Sequence, residues 1–173
     1  MNATIAVTKP VVKEVKLDGG EVFKIKLWDC GGQERFTNIS KAFLKDAVGC
    51  IIIFSLDSSE SLKKAKIWID SVNRMRQEDG KSVQIILAAN KVDLPADQIE
   101  FSNWEEEGKK LAKDCCIDGA DIPFCKTSAK QNVGIEEMFK MMAEMIKKAN
   151  SKMVAPAPAP TPGGDGKGCC LVM

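Results

Sequence analysis

The sequence predicts an α/β fold, a mixed but mostly parallel sheet with helices on both faces. Three observations predict it. Short, almost wholly apolar runs at 50–54, 83–88 and 122–125 have the character of strands covered on both sides. Stretches with apolar residues at helical spacing separate them, and an alternating hairpin precedes them.

The hairpin runs from Val11 to Leu17 and from Glu21 to Trp28, around the turn signal Asp18-Gly19-Gly20, with Phe23, Ile25 and Leu27 on one face. Cys50-Ile51-Ile52-Ile53-Phe54 is the first buried strand. A helix follows with Leu62, Ala65, Ile69, Val72 and Met75 on one side. It opens at Asp57 with Glu60 three residues on and stops at Gly80. After the strand at 83–88, a second helix opens at Ser102 with Glu105 and buries Trp104, Gly108, Leu111 and Cys115. After Ile122-Pro123-Phe124-Cys125, a third begins beyond Asn132 and aligns Ile135, Met138, Phe139, Met142 and Ile146. That methionine stripe is core packing. From Val154 to Gly168 alanine alternates with proline and then gives way to glycine, a composition with too little apolar surface to order itself. Residues 1–150 therefore read as one domain and 151–173 as a flexible tail.

Composition narrows the chemistry. Lys and Arg total 25 against 24 acids, a net charge of +1, so no global field recommends nucleic acid as a partner. The absence of histidine removes histidine metal sites, serine–histidine triads and histidine general bases. The seven cysteines include the adjacent pairs Cys115-Cys116 and Cys169-Cys170, with no C-x-x-C spacing suited to zinc or redox work. With no secretory leader, reduced thiols in the cytosol are expected.

Three strings sit where a parallel sheet presents side chains to a ligand, just beyond the carboxyl ends of strands. In Asn90-Lys91-Val92-Asp93, the Asp93 carboxylate can accept both donors on guanine's N1 and N2 edge, a pair adenine lacks. Lys91 would lie along the base and Asn90 would tie the loops. An ordinary turn with a solvated aspartate is the other reading. Thr127-Ser128-Ala129-Lys130 has small residues that let backbone N–H groups approach a purine carbonyl, although the same residues also serve as helix caps. In Trp28-Asp29-Cys30-Gly31-Gly32-Gln33-Glu34-Arg35-Phe36, Asp29 suits a water-mediated hold on Mg²⁺. Gly32 lets an N–H reach a terminal phosphate, and Gln33 is the residue type that orients an attacking water. A glycine-rich turn after a strand is the alternative.

In this order and spacing the three strings resemble the Ras superfamily of small GTPases, and Gln33-Glu34-Arg35-Phe36 with Thr127-Ser128-Ala129-Lys130 is similar to its Rab branch. The resemblance covers roughly Leu17 to Lys148. It implies a Ras-like G domain of the P-loop NTPase type, with GTP or GDP and Mg²⁺ as ligands. It also implies a role in vesicle traffic, with effectors, an exchange factor and prenylation escort proteins as partners. Gly31 and Cys30 depart from the usual Rab residues, alanine and threonine. Thr4-Ile5-Ala6 is similar to the first-switch Thr-Ile-Gly, which would make Thr4 a Mg²⁺ ligand, although an unstructured leader is an equal alternative.

Lys167-Gly168-Cys169-Cys170-Leu171-Val172-Met173 fits a two-cysteine Rab prenylation signal and also a C-a-a-X box at Cys170. Stable anchoring takes two lipid signals, so both Cys169 and Cys170 are candidates for lipidation, on the cytoplasmic face of intracellular membranes with a cytosolic pool. No G-x-x-x-x-G-K-[ST] string occurs in these 173 residues, so the domain reads as N-terminally truncated. In the family fold the strand before that loop lies mid-sheet, between the strand ending at Trp28 and the strand 50–54. Its loss predicts that those two strands pair directly or stand as open edges. Three functions follow: a membrane-anchored GTP/GDP switch with weakened binding and hydrolysis, a non-catalytic interaction module, or a fragment of a complete GTPase.

Overall fold

A computed structural model describes residues 10–30, 47–80, 82–116, 119–153 and 168–172. Strands β1 (Val11–Lys16) and β2 (Val22–Cys30) form the antiparallel hairpin, with Val11 opposite Leu27 and Lys16 opposite Val22. Gly20 takes φ 78° in the turn, a conformation that costs glycine nothing. Then follow β3 (Gly49–Ser55), α1 (Ser59–Asp79), β4 (Gln84–Asn90), α2 (Trp104–Asp114), β5 (Phe124–Thr127), α3 (Ile135–Met153) and β6 (Gly168–Val172). The six strands make one sheet in the order β1-β2-β6-β3-β4-β5, parallel except for β1.

The two faces bury separate cores. Cys50, Ile52 and Phe54 of β3 pack with Leu62, Ala65, Trp68, Ile69 and Val72 of α1 and with Ala112 of α2. Ile51 packs on the opposite face with Val15 and Ile25 of the hairpin and with Met138, Phe139, Met142, Ala143 and Ile146 of α3. Alternation along a single strand thus feeds both layers, as a doubly covered parallel sheet requires. The methionine stripe is core, as its spacing predicts, with Met142 fully buried.

Three details differ from the sequence reading. Helix α1 is capped by Ser58, whose side chain accepts from Ser61 N, and not by Asp57, whose carboxylate is engaged elsewhere. It also buries Trp68, which shares the apolar face but was not assigned to it. In α2, Asn103 takes the cap position without a side-chain cap bond, and Ala112 is buried while Trp104, Leu111 and Cys115 are only partly so.

The largest difference lies mid-sheet. Strands β2 and β3 neither pair directly nor end as open edges, because β6 lies between them and runs parallel to both. Lys26 to Cys30 pair with Gly168 to Val172, and Cys50 to Ile52 pair with Cys170 to Val172. Composition gave no hint of this strand, since five residues after a proline- and glycine-rich stretch carry no periodicity to read. An unpaired mid-sheet slot leaves two rows of backbone donors and acceptors without partners, so any extended segment within reach is favoured to fill it.

Candidate functional site

Because the five parallel strands share a direction, β2, β3, β4 and β5 bring Cys30, Ser55, Asn90 and Thr127 to the same edge of the sheet. Loops at this edge are laced together by backbone hydrogen bonds. Leu56 N donates to Asn90 O at 3.2 Å, Val92 N to Thr127 O at 3.2 Å, and Glu100 N to Leu56 O at 2.9 Å. Each bond crosses from one strand's exit loop to the next, so the loops hold a common geometry.

Asn90 is the hub. Its Oδ1 accepts from Ala129 N at 3.1 Å and from Thr127 Oγ1 at 3.3 Å, and the same hydroxyl lies 3.2 Å from Ala89 O. Thr127 and Ser128 are the two buried polar residues among those described, and both are satisfied, as buried polar groups must be. Ser128 Oγ donates to Asp93 Oδ1 and accepts from Gln131 N at 3.1 Å. This fixes the Asp93 carboxylate through one oxygen and leaves lone pairs on the other for an external double donor. Of the backbone N–H groups in the 127–130 string, the Ala129 N–H donates to Asn90 Oδ1. Lys130 is exposed beside it.

Lys91 carries φ 68°, a left-handed conformation that a β-carbon disfavours. The bonds flanking it, at Asn90 O and Val92 N, hold it there, and such over-determined strain is concentrated at working sites. Its Nζ forms an ion pair with Asp57 Oδ2, in the loop after β3. That ion pair, reinforced by the Ser55 hydroxyl, holds the Asp57 carboxyl below the usual aspartate range.

Two residues to which sequence reasoning gave no separate role complete this end. Thr127 supplies the buried hydroxyl above. Gly134, at φ 70°, closes the loop over the end of β5, where a β-carbon would come within 2.1 Å of Lys126 O. A Ser128–Val133 bridge, with N–H···O bonds of 2.9 and 3.0 Å in the two directions, holds the turn. The Gly after Asn132-Val133 was the available signal, and only its contact with Lys126 gives it meaning.

At the other end, Asp29 stands near the exit of β2, and its Oδ1 is buried with no hydrogen-bond partner. An orphaned, buried carboxylate oxygen fits a residue that holds a hydrated cation. Among the described residues no group of three or more His, Cys, Asp or Glu could hold a metal. Thr4, Gly32 and Gln33 lie outside the described residues. Cys169 and Cys170 stand on β6, in register with Leu27 and Trp28. Burial pushes the thiols of Cys125 and Cys115 up, which suits protonated, inert cysteines. No described helix is long and apolar enough to cross a membrane.

Comparison with known proteins gives concordant matches. The model of the Ras family matches residues 1–148. The chain is 31% identical over 141 residues to GTP-binding protein YPTM1 of Zea mays, a match covering 81% of this chain and 62% of that protein. It is 34% identical over 136 residues to Ras-related protein RIC1 of Oryza sativa subsp. japonica, covering 79% of this chain and 61% of the relative. The chain thus spans less than two thirds of either relative's length.

Proposed function

Since the chain belongs to the Ras family and is similar to Ypt/Rab-type and Ras-related GTP-binding proteins, we propose that it is a lipid-anchored GTP/GDP switch of vesicle traffic whose grip on nucleotide is weakened. One observation carries the reading: the Asn90, Asp93, Thr127, Ser128 and Ala129 network, which holds a carboxylate with free lone pairs at the carboxyl edge of the sheet. In this reading Asp93 accepts the two guanine donors, Lys91 leaves Asp57 to lie along the base, and Lys130 flanks it. Bound Mg²⁺ would neutralise charge on the phosphates, and Asp29 would hold it through water. Gly32, Gln33 and Thr4 take the phosphate, water-orienting and metal roles that the family motifs assign.

Weakened binding follows from two features. No G-x-x-x-x-G-K-[ST] string is present in these residues, and the backbone nest and lysine of that loop hold most of a nucleotide's charge. The family places the strand feeding that loop where β6 lies. Those features equally favour a second reading, a non-catalytic module that binds effectors, an exchange factor or escort proteins through its surface. In either case we assign 1–150 to the globular domain and lipidation to Cys169 and Cys170 of the segment 151–173, of which 151–153 continue α3 and 168–172 form β6. Its location is then the cytoplasmic face of intracellular membranes, with a cytosolic pool.

Titration of the purified chain with fluorescent GDP and GTP, with and without Mg²⁺, tests this. Guanine-selective binding weaker than micromolar supports a weakened switch. Tight, Mg²⁺-dependent binding overturns the weakening, and no preference for guanine over adenine nucleotide overturns the base-reading assignment in favour of the surface module.

A further inference from the structure

We propose that Asp57 sets how tightly the base site binds, by competing with the base for Lys91: the Lys91–Asp57 ion pair must open before the lysine stem can cover a base held at Asp93. The inference rests on the base-reading assignment of Asp93 above and deepens it.

Lys91 and Asp93 stand two residues apart on the loop leaving β4, and they are drawn to opposite sides. The Asp93 carboxylate accepts from Ser128 Oγ, beyond the end of β5, whereas Lys91 Nζ donates to Asp57 Oδ2, beyond the end of β3. Strand β4 lies between those two neighbours. A lysine has one ammonium on one stem. While that ammonium is held at the β3 side, the stem is committed away from the β5 side, where Asp93 and the Asn90–Ala129 bond form the base-reading end.

Asp57 is the fixed partner of the pair. Leu56 before it is bonded through its N–H to Asn90 O and through its carbonyl to Glu100 N. Ser58 after it donates its N–H to Ser55 O at 3.1 Å and caps α1. The carboxylate itself accepts from Ser55 Oγ at 2.5 Å. Lys91 is the movable partner: its backbone is pinned at φ 68°, but rotation about its side-chain bonds is enough to carry Nζ away. Both groups are partly in water, 24% of the Lys91 side chain and 40% of that of Asp57, so opening the pair strands neither charge in an apolar interior.

No task in the helix claims the Asp57 carboxylate. The first amides of α1 are served by other groups: Ser59 N donates to Glu100 Oε2 at 2.6 Å and Ser61 N to Ser58 Oγ at 3.3 Å. Lys91 is the largest cause of the depressed pKa of Asp57, so the carboxylate's principal partner is the lysine of the base-reading loop. Asp57 is thus a positioning residue, acting on the base only through Lys91.

NMR titration of the full chain with guanosine and adenosine, both uncharged, at one ionic strength tests this. Asp57→Asn keeps an acceptor for Ser55 and removes the charge. It should tighten guanosine binding about threefold to fivefold, the weight of a part-exposed ion pair. Lys91→Met keeps an apolar stem without the ammonium and should tighten binding to a similar extent. Adding Asp57→Asn to Lys91→Met should then change nothing, because the competition is already gone. Binding that Asp57→Asn leaves unchanged or weakens overturns the proposal. So does an undiminished gain from Asp57→Asn in the Lys91→Met chain, which would assign the gain to a route other than Lys91. If Asp57→Asn fails to fold, Lys91→Met against the unaltered chain still decides. Should neither the unaltered chain nor any variant prefer guanosine to adenosine, the base-reading assignment fails and the proposal with it; a preference that ignores Asp57 removes the proposal alone.

Discussion

The two ends of the sheet's carboxyl edge are built by opposite means. The proposed base-reading end comes from two short segments, 89–94 and 127–134, whose polar groups find partners a few residues away or on the adjacent strand. The end proposed to face phosphate rests on a long-range closure, with a strand from 168–172 inserted beside β2, and it leaves the Asp29 Oδ1 without a partner. The difference teaches that the proposed base-reading end is held by direct bonds between two loops on adjacent strands. The other end depends on which segment fills the middle of the sheet.

That contrast can be broken most severely at Gly134. Gly134→Ala drives a β-carbon against Lys126 O in a left-handed conformation and should cost about 3 kcal/mol or more, read as a large fall in Tm. An unchanged Tm would mean that the base end is not the rigid region. Asn90→Ala removes the acceptor for Ala129 N and Thr127 Oγ1 and should cost about 2 kcal/mol in urea unfolding, with guanine affinity falling alongside it.

Asp93→Asn sharpens the comparison, because an amide still accepts from Ser128 and should leave stability unchanged. It replaces an acceptor edge with a donor, so guanine affinity should fall about tenfold while xanthine nucleotides, with a carbonyl at that edge, improve. Equal affinities for the two bases would remove Asp93 from the recognition role.

The smallest effect is expected at Asp57. Its pKa is depressed in the folded chain, so the associated stability is fully present above the ordinary aspartate value of 3.8 and is lost as pH falls through the depressed value. The carboxylate is 40% exposed, and solvent screening keeps the effect within about 1 kcal/mol. Asp57→Asn should flatten acid unfolding curves slightly, and a steep acid dependence surviving in that variant would assign the effect to another group.

Most of the fold was legible because its elements announce themselves locally. Ile135, Met138, Phe139, Met142 and Ile146 are spaced for a helix face, and 50–54 is apolar throughout. Within the site, Asn90, Asp93 and Ser128 were legible as residue types at strand exits. Their mutual bonds were not, because the two loops are distant in sequence. Lys91 was read toward a base, and its pairing with Asp57 was hidden because Asp57 also fits a helix cap. The strand at 168–172 was illegible for a different reason: nothing in Gly-Cys-Cys-Leu-Val favours a strand until a neighbouring gap exists to receive it. Propensity is a weak prior beside such tertiary demand.

The order of the strands has a consequence for biosynthesis. Translation delivers β6 after every strand it touches, so a nascent chain emerging from the ribosome carries β2 and β3 with their facing edges bare until residues 168–172 are free. Throughout that interval the half-made sheet exposes strand edges of the kind chaperones bind, and capture should cease only once residues 168–172 are free to pair.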